Sequence, residues 1–195
     1  MARVTKETAA AHRAALADAA GRLFRQKGVD GVGVAEISRA AGLTHGALYS
    51  AFASKDELAV SALKVGARAR RQLAAEELGS SPSPAAIVKR YVSRRQRDNR
   101  VECCPLLASA SEAARQGTAY REAFTEVFIE WAKSLESAMS PAGSNEQAGR
   151  ALVVAASMIG VVAVARALEG KASDRLLSAA RLHLSQLATP DQTAA

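Results

Sequence analysis

Aromatic residues are scarce in this chain: Phe, Trp and Tyr make up 4% of its 195 positions, with one Trp among them. Cysteine is rarer still. The two cysteines, Cys103 and Cys104, are adjacent, so no disulfide framework can join distant segments. The three histidines, His12, His45 and His183, are scattered, and two neighbouring thiols need further ligands to hold a metal, so no metal site is expected. No stretch keeps the period-two alternation of a half-buried strand. The longest uncharged run, Ala151–Ala165, is closed by Arg166 and is too short to span a bilayer. Apolar residues near the N-terminus are broken by charges, unlike those of a signal peptide. A cytoplasmic protein with no membrane partner is expected. No nucleophile–base pair, metal-ligand spacing or nucleotide fingerprint stands out, so neither an enzyme nor a cofactor is expected. The Gly-rich run Gly28–Gly33 has the look of a phosphate-cradling loop, but no strand precedes it and no Lys-Ser/Thr pair ends it.

Helix formers and positive charge are what the chain does have. Hydrophobic residues reach 49%, Ala is very frequent, and Ala, Leu, Arg and Glu all favour helix. The net charge of +7 hints at a polyanionic partner. Its distribution is more telling. Lys and Arg outnumber Asp and Glu by 8 to 6 over residues 1–60 and by 10 to 3 over 61–100, whereas 101–195 carries 8 against 10. A nucleic-acid face near the N-terminus and a neutral partner face near the C-terminus would produce this split; solvated helix faces would too.

Punctuation divides the chain into about nine helices. The first runs from Lys6 to Lys27 and stops at Gly28. Short helices follow over Val34–Ala41 and His45–Phe52, separated by Gly42 and opened by Thr44. Ser54-Lys55-Asp56-Glu57 is a capping box for a fourth helix that ends at Gly79. Ser83-Pro84 opens a helix expected to reach Arg100. Others cover Pro105–Gln116, Thr118 to about Ser140, a capped start at Ser144–Gln147 to Glu169, and Ser173–Leu187. Tyr120, Phe124, Val127, Phe128, Trp131, Leu135 and Ala138 form one apolar stripe on the helix from Thr118.

Two short helices joined by a Gly-containing turn have the geometry of a helix-turn-helix. Ile37, Ala41, Leu43, Leu48 and Phe52 supply its inner face. Thr44, His45, Gly46, Ala47, Tyr49 and Ser50 are left outside, small or polar groups suited to a major groove. Residues 28–58, GVDGVGVAEISRAAGLTHGALYSAFASKDEL, resemble the DNA-binding region of the TetR family. Ile37, Ala41-Gly42, Leu48-Tyr49-Ser50-Ala51-Phe52 and Ser54-Lys55-Asp56-Glu57-Leu58 match its pattern in type and spacing.

The resemblance implies an all-α, ligand-responsive repressor that binds a palindromic DNA operator as a homodimer and is released by a small-molecule effector. It implies a DNA-binding domain at 1–55 and a ligand-binding and dimerisation domain at 56–195. It places the family's phosphate-binding hydroxyl on Tyr49 and its phosphate-binding lysine on Lys55, with Thr44, His45, Gly46 and Ala47 in the groove; Ser50 joins them from its place on the exposed face. Two positions depart from the pattern: His45 stands where Lys is common, and Gly33 where Thr is common. Arg3 and Lys6 are expected to reach a neighbouring groove or to form a basic tail.

Three features of the remaining chain bear on the effector and the dimer. Cys103-Cys104-Pro105 starts a helix after an Arg-rich stretch, which should lower a thiol pKa and suit electrophile or redox sensing; two small buried hydrophobes is the other reading. Phe124, Phe128 and Trp131 are core residues, some of which would line the effector cavity. The uncharged helix at 151–165, with Ala155, Ala156, Gly160 and Ala163, and the Leu face of 173–187 are the expected dimer interface; burial within one chain is the alternative. The arginines at 90–100 are expected on a solvated or salt-bridged face, with an anionic ligand as the other reading.

Overall fold

The computed structural model describes residues 5–140 and 144–189, so the expectation for Arg3 lies outside the described residues. Within these bounds the chain is helical with no strand. Its helices are α1 (Lys6–Lys27), α2 (Val34–Ala40), α3 (His45–Ala51), α4 (Lys55–Leu78), α5 (Pro84–Tyr91), α6 (Arg94–Asp98), α7 (Pro105–Ala113), α8 (Thr118–Met139), α9 (Asn145–Ala167) and α10 (Gly170–Ala188).

Local chemistry sets most boundaries. Thr5 caps α1 by accepting from the Thr8 amide, so Lys6 lies inside the helix rather than before it. Ser54 accepts from the Glu57 amide at 3.0 Å, one half of the expected capping box. The returning half differs in register: the Glu57 carboxylate accepts from the amide of Ala53, one residue before the cap, at 2.8 Å. Ser144 likewise caps α9 through the Gln147 amide. Gly28, Gly42 and Gly79 have positive φ and end α1, the α2 turn and α4.

One expected helix is two. The run from Pro84 to Arg100 breaks at Val92, whose ψ of 73° leaves the helical region, and restarts at Ser93. The Ser93 hydroxyl accepts from the Gln96 amide and donates to the Arg90 carbonyl, so it caps one helix and closes the other. Arg166 of α9 then donates to the Arg97 and Gln96 carbonyls, groups that a continuous helix would have used internally. The expected ion-paired face is present. Arg94 and Arg97 meet Asp174, and Arg90 and Arg95 share Glu77.

Leu16, Ala20 and Phe24 of α1 bury against Ile37, Leu48, Phe52 and Leu58, and these residues join a core that continues through every later helix except α6, which buries no residue. α4 packs on α1 at one end and on α8 further along; α9 lies against both α8 and α10. With a mean hydropathy of 2.0 over 18 residues, α9 is long and apolar enough by length and composition to cross a membrane, contrary to the expectation from its uncharged run. The fold accounts for part of that apolarity: Ala151, Val154, Ala155, Met158 and Val162 are buried in the core.

Candidate nucleic-acid interface and cavity

Helix α3 is held from beneath by a single buried side chain, Leu48. Around it Thr44, His45, Gly46, Tyr49 and Ser50 are exposed and Ala47 is half-buried. Two hydroxyls already have internal partners. Thr44 caps the helix by accepting from the Ala47 amide, and Ser50 donates to the Gly46 carbonyl. His45 and Tyr49 therefore carry the freest polar atoms of the face. Their rings meet edge to face at 5.0 Å, and Tyr49 is 53% exposed. Lys55, half-buried, is the first residue of α4, where unpaired backbone amides also face outward. The structure thus brings Tyr49 and Lys55 to adjoining helix ends. Gly33 is the cap residue of α2 and offers no side-chain bond.

Two supporting residues escape a reading of local pattern. Arg13 of α1 closes the end of α3: it donates to the Ala51 carbonyl, pairs with Glu57 at 2.7 Å and stacks over the Phe52 ring at 4.0 Å. Its hydrogen bond, with that of the Ala53 amide, holds the Glu57 carboxyl below its ordinary range. Glu112 of α7 accepts from the backbone amides of Val29 at 2.7 Å and Asp30 at 3.4 Å, so the Gly-rich turn before α2 cradles a protein carboxylate. Gln116 adds a bond to Asp30. These partners lie 38 to 86 residues apart in sequence, so no local signal could have found them.

A cavity of about 730 Å³ opens between α4, α5, α6 and α8. Of the residues expected there, Cys104 and Trp131 line it. Phe124 and Phe128 are half-buried against the core outside that lining: Phe124 lies a turn before Val127 on α8, and Phe128 is rotated away from it. Cys103 is fully buried, with its thiol directed to the Arg100 carbonyl at 3.4 Å. Cys104 is half-buried in the cavity wall, and its removal from bulk water pushes the thiol above its ordinary range. This is the reverse of the expected lowering. The helix-terminal position and the Arg-rich neighbourhood are real, but the arginines are engaged with carboxylates and desolvation dominates.

Family comparisons agree with this architecture. The model described as "Bacterial regulatory proteins, tetR family" matches residues 16–62, and that described as "Transcriptional regulator LmrA/YxaF-like, C-terminal domain" matches residues 84–181, half of the chain. The chain belongs to the TetR family. It is similar to the HTH-type transcriptional regulator LmrA of Bacillus subtilis (strain 168), at 29% identity over 153 residues, 75% of this chain and 81% of that one. It is 47% identical over 58 residues to the HTH-type transcriptional regulator AcrR of Shigella flexneri, a match spanning 30% of this chain and only 27% of AcrR.

Solved structures extend the likeness in fold. Reduced E. coli NemR superposes with a TM-score of 0.76 at 22% identity, covering 92% of this chain and 98% of that one. AibR, solved with isovaleryl coenzyme A and operator DNA, does so at 0.60 and 19%, covering 92% and 99%. As a member of the TetR family, the protein is a ligand-responsive DNA-binding regulator of the repressor type, with α2 and α3 as its helix-turn-helix.

Proposed function

We propose that the protein represses transcription as a cytoplasmic homodimer without enzymatic activity, binding a palindromic operator through α3 and leaving it when a small molecule fills the cavity between α4, α5 and α8. The observation that carries this reading is the unspent outer face of α3, where five side chains or glycine positions stand in solvent around one buried Leu. Thr44, His45, Gly46, Ala47 and Ser50 would lie in the major groove. Tyr49 and Lys55 would hold the flanking phosphates. The division at 1–55 and 56–195 falls at the start of α4, a helix of 24 residues that would carry motion from the cavity to the reading head.

The dimer contact is assigned to α9 and α10. Val153 and Val164 of α9 and Leu182 and Leu187 of α10 are 40–57% exposed, an apolar surface of the kind that marks an interface. Ala156, Gly160 and Ala163 continue the α9 stripe in solvent, and nothing lies within 4 Å of where a Gly160 Cβ would be. Ala155 belongs instead to the monomer core. A two-fold dimer would set its two α3 helices on half-sites about one DNA turn, roughly 34–36 Å, or a multiple apart.

Fluorescence polarisation with the duplex upstream of the protein's own gene, against a scrambled duplex, tests the reading. Preference for the natural sequence is expected, with Tyr49→Phe and Lys55→Ala weakening both duplexes and Lys55→Ala giving a shallower salt slope. Equal affinity for both duplexes would sink it. Light scattering should give a dimer that Val164→Lys with Leu182→Lys converts to monomer.

A further inference from the structure

We propose that the effector is an organic monoanion with a flat aromatic body, seated with its rings against Trp131 and its charge towards Arg95. The proposal rests on the reading of the cavity as the effector site and assigns that effector its chemistry.

Charge in the wall is unbalanced. Four guanidinium groups line the cavity, those of Arg70, Arg71, Arg90 and Arg95, against one lining carboxylate, Glu102. Arg70 is neutralised by Glu102 at 2.6 Å, and Arg71 by Glu130 of α8. Arg90 and Arg95 have only Glu77 between them, at 2.7 and 3.0 Å. That end of the cavity therefore keeps one positive charge in excess. A monoanion cancels it; a cation is repelled, and a second negative charge would have no partner. The two arginines are not equivalent. Arg90 is 26% exposed and lies close along Glu77, whereas the Arg95 side chain is 74% exposed and can turn its free donors to a ligand while Glu77 keeps Arg90.

The rest of the wall mixes small polar residues, such as Ser134 and Ser137, with apolar ones, and presents one aromatic surface. The Trp131 and Tyr91 rings stack at 4.9 Å with 30° between planes. Ile87, Val127 and Leu135 border them. Tyr91, 7% exposed at the end of α5, is next in sequence to the Arg90 that shares Glu77 with Arg95 of α6, so the aromatic wall and the surplus charge adjoin. A volume of 730 Å³ lies in the range of about 300–1,000 Å³ that encloses a drug-sized molecule.

The single Trp makes the test direct, because Trp131 is the only indole in the chain. Full-length protein is titrated with 8-anilinonaphthalene-1-sulfonate, a monoanion built on a flat naphthalene, and with N-phenyl-1-naphthylamine, the same ring system without the sulfonate. Quenching of Trp131 is followed in each. The sulfonate is expected to saturate at one per chain and to bind at least tenfold more tightly than the neutral amine. Arg95→Gln should remove most of that preference, Arg95→Lys should keep it, and Ala138→Phe, which projects a ring into the cavity from α8, should weaken quenching by both. Equal binding of the two probes, or a preference that survives Arg95→Gln, overturns the anionic class while leaving the cavity reading intact. Failure of both probes to quench Trp131, or quenching whose affinity is unchanged by Ala138→Phe, overturns the cavity reading itself.

Discussion

Gly33 opens α2 with no side chain to cap it, at a backbone φ of −86° that any residue can adopt, and with nothing within 4 Å of where a Cβ would be. A hydroxyl placed there could accept from the first-turn amides of α2 and, in the family's pattern, reach a phosphate. Gly33→Thr is therefore expected to change stability by no more than a few tenths of a kcal/mol. It should tighten DNA binding by about 1 kcal/mol, roughly fivefold, as one added hydrogen bond gives. Polarisation titrations would show it; unchanged affinity would place Gly33 away from the DNA backbone. Cys104 carries an equally local prediction. Its thiol is pushed up by burial, so at pH 7 the protonated form dominates and the nucleophile is scarce. Iodoacetamide should label it more slowly than free glutathione at pH 7, with the rate rising about tenfold per pH unit until the thiol ionises. Labelling faster than glutathione at neutral pH would restore the thiol-sensor reading.

Elements were legible where their signals are local. The capping box at Ser54–Glu57, the glycines at 28, 42 and 79, and the prolines opening α5 and α7 all mark boundaries that the fold keeps. The break at 92–93 was missed although Ser93-Arg94-Arg95-Gln96 repeats the same Ser-x-x-Gln/Glu pattern. Good helix formers on both sides hid it. What selects the break is tertiary: Arg166 and Asp174, 69 to 80 residues away, take up the carbonyls and guanidinium groups of α6. Similarly, the reading face of α3 could be read from spacing, but Arg13, which closes that helix, could not. Ser93→Ala removes the cap of α6 and a bond to the Arg90 carbonyl. A loss of about 1 kcal/mol in unfolding free energy is expected. Because Ser93 and Gln96 also line the cavity, affinity for 8-anilinonaphthalene-1-sulfonate should fall in the same variant. A stability change without a binding change would separate the cap from the site.

At the scale of the molecule, α7 offers a second route, beside α4, from cavity to reading head. Its cap residue Cys104 and Leu106 of its first turn line the cavity, and Glu112 near its other end holds the amides of Val29 and Asp30. Nine helical residues make a rod about 13 Å long. Arg25 of α1, which donates to the Val101 carbonyl at 2.5 Å, ties the same region to the segment before α7. A displacement of the wall at Leu106 would have, through Glu112, a path to the turn before α2. Ligand and operator must each weaken the other by one shared factor, so a path that carries one effect carries both. Cavity filling can be imposed without a ligand by Ala138→Phe, which is expected to weaken DNA binding, and Glu112→Ala cuts the rod from the turn. In a double-mutant cycle on DNA affinity, the penalty of Ala138→Phe should shrink by at least about 1 kcal/mol, roughly fivefold, when Glu112 is already Ala. Additivity within about 0.5 kcal/mol would mean that α7 is not the route and would leave α4 as the element that carries the signal.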